Sequence, residues 1–284
     1  MLEAMINPKE AEKGPWKMFF VGLLYASLSI FLVKWLFMSD PVLSEFAGMI
    51  IITFCVMFSL PFMYYIIKVE EKEDEHADGF LAVWRMHSDA IFALMWLFLG
   101  FLVAFSFWAI ILQEPMIFNA QIQTYCSINS PGNMQDCVNQ YLAKDAKITS
   151  SATGIGRFLS ILENNVYVMI FTLLFSFIFG AGAIFVLAWN ASVIASAVAI
   201  FAQYQIGDLP LGLARYMIHG IPEILAYFVT ALAGGIFGVG FLRHSIQDKK
   251  FLRVVQNVFL LLFIAILILV FAAFVEVCIT PTFF

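Results

Sequence analysis

A run of 44 residues, Asn164 to Gly207, contains neither a charged side chain nor a histidine. As a single α-helix it would be about 66 Å long, which is roughly twice the hydrocarbon thickness of a bilayer. The run must therefore cross a membrane twice or fold back within it. The whole chain is 62% hydrophobic and 12% charged, whereas about a quarter of the residues in soluble domains are charged. We predict an all-α, polytopic integral membrane protein.

Apolar runs along the sequence predict about seven transmembrane helices. Two of them share the 44-residue run, which we expect to divide near Trp189-Asn190. The others are predicted at Met18–Met38, Phe46–Ile67 and Ala90–Gln113, within Leu211–Leu242, and at Val254–Val275. This organisation gives three parts: an N-terminal three-span bundle (1–112), a polar segment (113–163) and a four-span membrane core (164–284).

The distribution of lysine and arginine predicts the orientation, because cytoplasmic loops carry an excess of both. A cytoplasmic N-terminus places ten of the 15 basic residues inside. The other five would lie outside: Lys34, Lys144, Lys147, Arg157 and Arg215. We therefore predict a multi-pass protein of the cell membrane whose 113–163 segment and C-terminus are extracytoplasmic.

Two features are predicted within the extracytoplasmic segment. Cys126 and Cys137 are close in sequence, and an oxidising compartment favours a disulfide between them; the alternative is two free thiols. Such a bridge would stabilise the fold by about 3 kcal/mol. Residues 154–164 have the apolar spacing of a helix with a polar face, which predicts an interfacial helix before the fourth span.

The densest set of polar side chains in a predicted span recurs every four residues: Arg215, His219, Glu223 and Tyr227. On a continuous helix these four side chains form one stripe, in which the first two would neutralise or hydrogen-bond Glu223. Glycine and proline predict a break near His219–Pro222 instead, which would place Glu223 at a helix N-terminus. A broken helix at membrane depth must be buried in protein or line a cavity.

Three roles are open for this polar set. Its members can satisfy one another and hold two helices together, which is a purely structural role. Ionisable groups in membranes also mark transport and proton-relay pathways. Metal binding has the least support, because His219 and Glu223 are only two ligands and zinc sites need three or four. We predict no metal site, no cofactor and no catalytic residue, and we expect His76 and His87 to be solvated.

Asparagines and glycines in the same region are predicted to form helix contacts. Asn164 and Asn165 stand at the predicted start of the fourth span, where they can cap that helix or reach the sixth span, and Asn190 stands at its opposite end. Small residues allow close packing of the fourth and sixth spans, with a homodimer contact as the alternative. These residues are Gly180, Gly182, Gly234, Gly235 and Gly238.

The C-terminal half resembles the stage II sporulation protein M family. The resemblance covers about residues 155–275 and is carried by residues 163–201 and 219–235. The residues that match the family pattern are Asn164, Asn165, Gly180, Gly182, Asn190, His219, Gly220 and Glu223. The resemblance implies a role like that of the family's namesake, which acts in endospore formation within a membrane complex that includes peptidoglycan-degrading partners. Relatives also occur in organisms that form no spores, and the chain resembles such a relative as well.

Two functions follow as expectations. The first is a non-enzymatic membrane scaffold or envelope-complex subunit, since the sequence has no Walker, GxSxG or HExxH motif. Its expected partners are the lipid bilayer, proteins of an envelope complex and a second copy of the chain. The net charge of −5 gives no reason to expect nucleic-acid binding. The alternative is a small transporter that uses Glu223 and His219, and an intramembrane metal-dependent enzyme is a minor third reading.

Overall fold

The computed structural model describes residues 14–74, 80–129, 131–142, 154–179, 183–243 and 249–283. Within these ranges the chain forms nine α-helices and no β-strand. Short 3₁₀ turns lie between several of the helices, and a π-helical turn, Val275–Ile279, follows the last one. The helices are α1 Lys17–Leu36, α2 Ala47–Asp74, α3 Phe80–Leu112, α4 Asn119–Asn129, α5 Met134–Leu142, α6 Gly154–Phe179, α7 Ala183–Phe201, α8 Leu209–Arg243 and α9 Lys249–Phe274.

Six segments of the described chain are long and apolar enough to cross a membrane, and they involve α1, α2, α3, α7, α8 and α9. The α6 helix adds a shorter apolar stretch, Ile161–Phe177. The chain is therefore an all-α, polytopic membrane protein.

Two tryptophans mark the ends of the first span. Trp16 immediately precedes α1 and Trp35 lies in its last turn, and their side chains are 54% and 82% exposed. They are 19 residues apart, which corresponds to about 28 Å along a helix, close to the ~30 Å hydrocarbon thickness of a bilayer. Tryptophan prefers the membrane–water interfaces. This spacing is what a helix that crosses the bilayer requires.

The division of the long uncharged run differs from the predicted one. The α6 helix ends at Phe179 and α7 begins at Ala183, so Trp189 and Asn190 lie inside α7. The asparagine is accommodated there because its Nδ2 donates a hydrogen bond to the Val186 carbonyl of its own helix, at 2.7 Å. Gly180 and Gly182 lie outside the described residues.

The predicted break near His219–Pro222 is wrong. The α8 helix runs continuously from Leu209 to Arg243 with Pro222 inside it. The proline removes one backbone hydrogen bond, whereas a break would leave several backbone groups of two helix ends unpaired at membrane depth. One lost bond is the smaller cost. Glu223 therefore lies in the middle of a helix, and all four stripe residues belong to one continuous helix.

The predicted interfacial helix is not a separate element. Residues 154–164 are the first turns of α6, which continues without interruption to Phe179. Neither glycine nor proline occurs between Arg157 and Phe179, so nothing in the sequence forces a bend between the polar and apolar parts.

Two pairs of parallel helices organise the bundle. The first pair, α1 and α3, meets at Gly22 and Gly100. The second pair, α6 and α8, is in contact from Asn165 and Glu223 at one end to Phe177 and Gly238 at the other. Among the candidate spans, α8 has the largest share of buried residues. One hydrophobic core joins the N-terminal spans to the C-terminal ones, as in the contact between the Phe98 and Phe228 rings, whose centroids are 6.1 Å apart.

The segment between α3 and α6 caps one end of the bundle, which we call the disulfide end. A disulfide joins Cys126 of α4 to Cys137 of α5, with the Cα atoms 5.8 Å apart, and this confirms the predicted bridge. The α4 helix is fixed to the start of α2 by buried Gln121, whose Nε2 donates to the Gly48 carbonyl at 3.0 Å. The helix order places the starts of α6 and α8 and the end of α9 at this same end.

Candidate functional site

The centre of the candidate site is Asn165, in the middle of α6 and near the start of its apolar stretch Ile161–Phe177. Its Nδ2 donates to Oε1 of Glu223 at 2.6 Å, and its Oδ1 accepts from the hydroxyl of Tyr227 at 3.0 Å. The side chains of Asn165 and Tyr227 are both buried. Asn164, one residue earlier, also donates to Oδ1 of Asn165, at 3.4 Å. One amide therefore joins α6 to two successive turns of α8.

His219, one turn before Glu223 on α8, contacts the C-terminal segment. Its Nδ1 lies 3.2 Å from Oγ1 of Thr280, and that hydroxyl donates to the Val275 carbonyl at 3.3 Å. Because a hydroxyl has a single hydrogen, this arrangement makes Nδ1 of His219 the donor to Thr280. The histidine thereby holds the segment after α9 against the side of α8.

Glu276 is a further member of the site that the sequence did not reveal. It lies in the π-helical turn Val275–Ile279, close enough to Glu223 and Tyr227 for an electrostatic interaction with both. Turns of this kind occur frequently at functional sites. The only sequence signal is a single acid directly after the seventh predicted span. The cluster thus contains two carboxylates, one from α8 and one from the C-terminal segment.

The stripe on α8 divides into two parts in the structure. Glu223 and Tyr227 both meet Asn165, as described above. Arg215 lies two turns earlier, and its guanidinium is stacked over the ring of Phe201 at the end of α7, 4.9 Å from the ring centroid. This geometry is favourable because the ring face carries negative electrostatic potential. The other predicted asparagine, Asn190, bonds within α7.

The small residues of α8 lie against its neighbours. A Cβ atom placed on Gly234 would lie 2.8 Å from the Leu173 carbonyl oxygen of α6, and one on Gly238 would lie 2.6 Å from the Phe177 carbonyl oxygen. Gly235 faces α2, where its Cβ would be 2.7 Å from the Ile67 side chain. Gly234 and Gly238 therefore allow the backbones of α6 and α8 to approach each other closely.

A group of tyrosines links the candidate site to the disulfide end. The rings of Tyr125 and Tyr141 are perpendicular, with centroids 5.7 Å apart, and Tyr216 of α8 interacts with the Tyr125 hydroxyl. Burial is the main cause that raises the pKa of Tyr141 and of Tyr204 to about 12. Both hydroxyls therefore keep their protons at neutral pH and can donate hydrogen bonds. The ring of Tyr216 is in turn 6.3 Å from that of His219.

The opposite end of the bundle contains a buried histidine that was predicted to be solvated. His87 of α3 is fully buried, and its Nδ1 lies 2.5 Å from Oε2 of Glu70 in α2. The prediction is wrong because α2 and α3 continue beyond their apolar spans, so that these polar side chains face each other instead of water. His76 lies outside the described residues.

The polar groups of the site are an amide, two carboxylates, a phenol, a hydroxyl and an imidazole. Among the described residues, no group of three or more histidine, cysteine or acidic side chains is arranged to hold a metal ion. The arrangement can bind helices together through hydrogen bonds, and it places a second acid within electrostatic range of Glu223.

Comparisons with known proteins identify one family. The model of the family described as stage II sporulation protein M matches residues 46–281. The match begins at the second span and includes the disulfide segment, so it extends well beyond the residues that carry the resemblance in the sequence. No match was found among curated proteins or among solved structures.

Proposed function

Because this chain belongs to the stage II sporulation protein M family, we propose that it is a non-enzymatic membrane scaffold, a subunit of a complex in the cell envelope. One observation carries the proposal. Polar groups at membrane depth bond to one another across helices, with Asn165 joined to both Glu223 and Tyr227. Interhelical hydrogen bonds of this kind hold membrane bundles together. A bundle fixed in this way suits a protein that anchors others.

The orientation belongs to this proposal. The N-terminus is cytoplasmic, and the disulfide end and the C-terminus are extracytoplasmic. The excess of lysine and arginine on the N-terminal side supports this orientation. The bridge between Cys126 and Cys137 supports it independently, because disulfides persist in oxidising compartments. The partners of the scaffold are then envelope proteins that reach the disulfide end, or a second copy of the chain.

A partner at the disulfide end can be detected with a photo-crosslinking side chain at Ile128. This residue is 51% exposed and lies on α4, next to the disulfide. We expect illumination of intact cells to give a discrete adduct with a second polypeptide. The matched control is Phe263 of α9, which is 56% exposed on the apolar surface of a span; there we expect lipid adducts alone. Unmodified protein at Ile128, with the chain expressed and folded, would argue against a partner on this face.

A small transporter is the second candidate, and the pair Glu223 and Glu276 favours it. The two acids interact electrostatically within one cluster of a membrane bundle. Acids inside membranes are rare and commonly mark ion or proton pathways. Under this reading Glu223 takes up and releases a proton while its neighbours hold it in place.

Two variants of Glu223 separate the candidates. In Glu223→Gln the amide oxygen still accepts the hydrogen bond from Asn165, so a scaffold keeps its thermal stability. Glu223→Ala removes the acceptor, and we expect a loss of about 1–2 kcal/mol in unfolding free energy. The measurements are thermal unfolding in detergent and proton flux in liposomes with an internal pH-sensitive dye. Proton flux by the wild type that Glu223→Gln abolishes without loss of stability would establish the transporter instead.

A further inference from the structure

A groove of about 420 Å³ lies at the disulfide end, between the start of α2 and the start of α4. Its volume is within the range of roughly 300–1,000 Å³ that is usual for small-molecule sites. The walls are fixed independently of any ligand. Buried Gln121 attaches α4 to Gly48 of α2, and a salt bridge of 2.7 Å joins Lys34 to Glu114 just before α4. The groove is therefore a preformed feature of the fold.

The lining of the groove is amphipathic and carries charge of one sign. Its apolar part consists of Phe46, Met49, Met116 and Ala120, and its polar part consists of Glu45, Asn119 and Gln123. Among these residues there is one carboxylate and no cationic side chain. Nε2 of Gln123 donates to Oδ1 of Asn119 at 3.1 Å. That bond leaves the carbonyl of the glutamine and the amide hydrogens of the asparagine for a ligand. The polar part suits a ligand that has both a cationic group and hydrogen-bond acceptors.

The position of the groove relative to the membrane limits the kind of ligand. Glu45, Phe46 and Met49 belong to the first turns of the candidate span Leu43–Ile67, so the groove opens at the level where that span leaves the hydrocarbon. Exposed side chains on the same face of α2 continue from the groove toward the bilayer interior. They are Met49, Met57, Leu60 and Tyr64, which are 41%, 55%, 37% and 60% exposed. A polar mouth that leads into an apolar stripe is the shape that an amphiphile requires.

We propose that this groove binds a phospholipid whose headgroup carries a primary amine. The ammonium group pairs with Glu45, and the phosphate oxygens accept hydrogen bonds from the Asn119 amide. One hydrocarbon chain lies along the stripe from Met49 to Tyr64. Charge complementarity selects an amine headgroup over an anionic one, because the lining offers a carboxylate and no cation. The lipid enters sideways from the bilayer and needs no path through the protein.

Native mass spectrometry of the full chain, in detergent with equal amounts of phosphatidylethanolamine and phosphatidylglycerol, tests the proposal. We expect the wild type to retain the ethanolamine lipid about two- to fivefold better, the range that one exposed charge pair supports. Glu45→Gln should remove this preference, and Ala120→Phe, which fills the groove, should lower retention of the ethanolamine lipid. The matched control is Glu163→Gln, which removes an exposed acid within α6 and should leave the preference unchanged.

Two outcomes would overturn the proposal. Equal retention of both lipids by the wild type would show that the groove does not select an amine headgroup. In the second outcome, the lipid preference survives Glu45→Gln, and a photo-crosslinker at Met116 captures a polypeptide in cells. That combination would assign the groove to a protein partner.

Discussion

Replacing Gly100 by leucine is expected to separate the first span from the rest of the bundle. A Cβ atom at this position would collide with the Phe19 carbonyl oxygen and would lie 2.9 Å from Cα of Gly22. Gly22 is in the reciprocal position, since its Cβ would collide with the Leu97 carbonyl oxygen. Backbone atoms cannot move aside as a side chain can. We therefore expect the unfolding free energy to fall by ~3 kcal/mol or more, which is the upper end of the range for overpacked cores.

Thermal unfolding of purified protein in detergent measures this effect. Gly207→Ala is the matched control, because a Cβ atom there meets nothing within 4 Å, and its melting temperature should stay close to that of the wild type. If Gly100→Leu had the same melting temperature as the wild type, α1 and α3 would not pack through these glycines.

Removing the disulfide is the second change with a large expected effect. Cys126 and Cys137 are 11 residues apart. Closing a loop of that size stabilises the folded state by about 3 kcal/mol, because it lowers the entropy of the unfolded chain. The α4 and α5 helices are short, and their small core of buried side chains includes both cysteines. We expect the Cys126→Ser, Cys137→Ser double variant to lose order in this segment while the spans stay folded.

Limited proteolysis applied to proteoliposomes checks this expectation. The double variant should be cut rapidly between α3 and α6, and the wild type should become equally sensitive after treatment with a reductant. Cys278→Ser removes an exposed free cysteine and should leave the digestion pattern unchanged. Equal resistance of the double variant and the wild type would mean that packing alone holds α4 and α5.

The sequence predicted the membrane class, the approximate positions of the spans and the disulfide, because hydrophobicity and cysteine spacing are local properties. It did not predict the continuity of α8. Pro222 interrupts helices in water, where exposed backbone groups find other partners, but inside a membrane the cost of unpaired groups outweighs the local preference for a break. The misplaced division of the 44-residue run has a similar origin, because Asn190 finds its hydrogen-bond partner within its own helix.

The candidate site could be predicted in part, because half of it lies on one helix. The four-residue repeat on α8 brought Glu223 and Tyr227 together, and Asn165 was recognisable as a polar residue at the start of a span. Thr280 and Glu276 could not be found in the same way, since they reach the site only through the packing of the C-terminal segment against α8. The pair of Glu70 and His87 was missed for the same reason, because it depends on how α2 and α3 face each other.

The exposed outer face of α6 has a consequence for the surrounding lipid. Tyr167, Phe171 and Leu174 are exposed on this helix, so hydrocarbon chains of the bilayer must cover them. Lipid entropy is one of the forces that drive helix association in membranes. Any protein that covers this face therefore releases the lipid chains held against it, which adds a driving force for assembly that requires no specific contact.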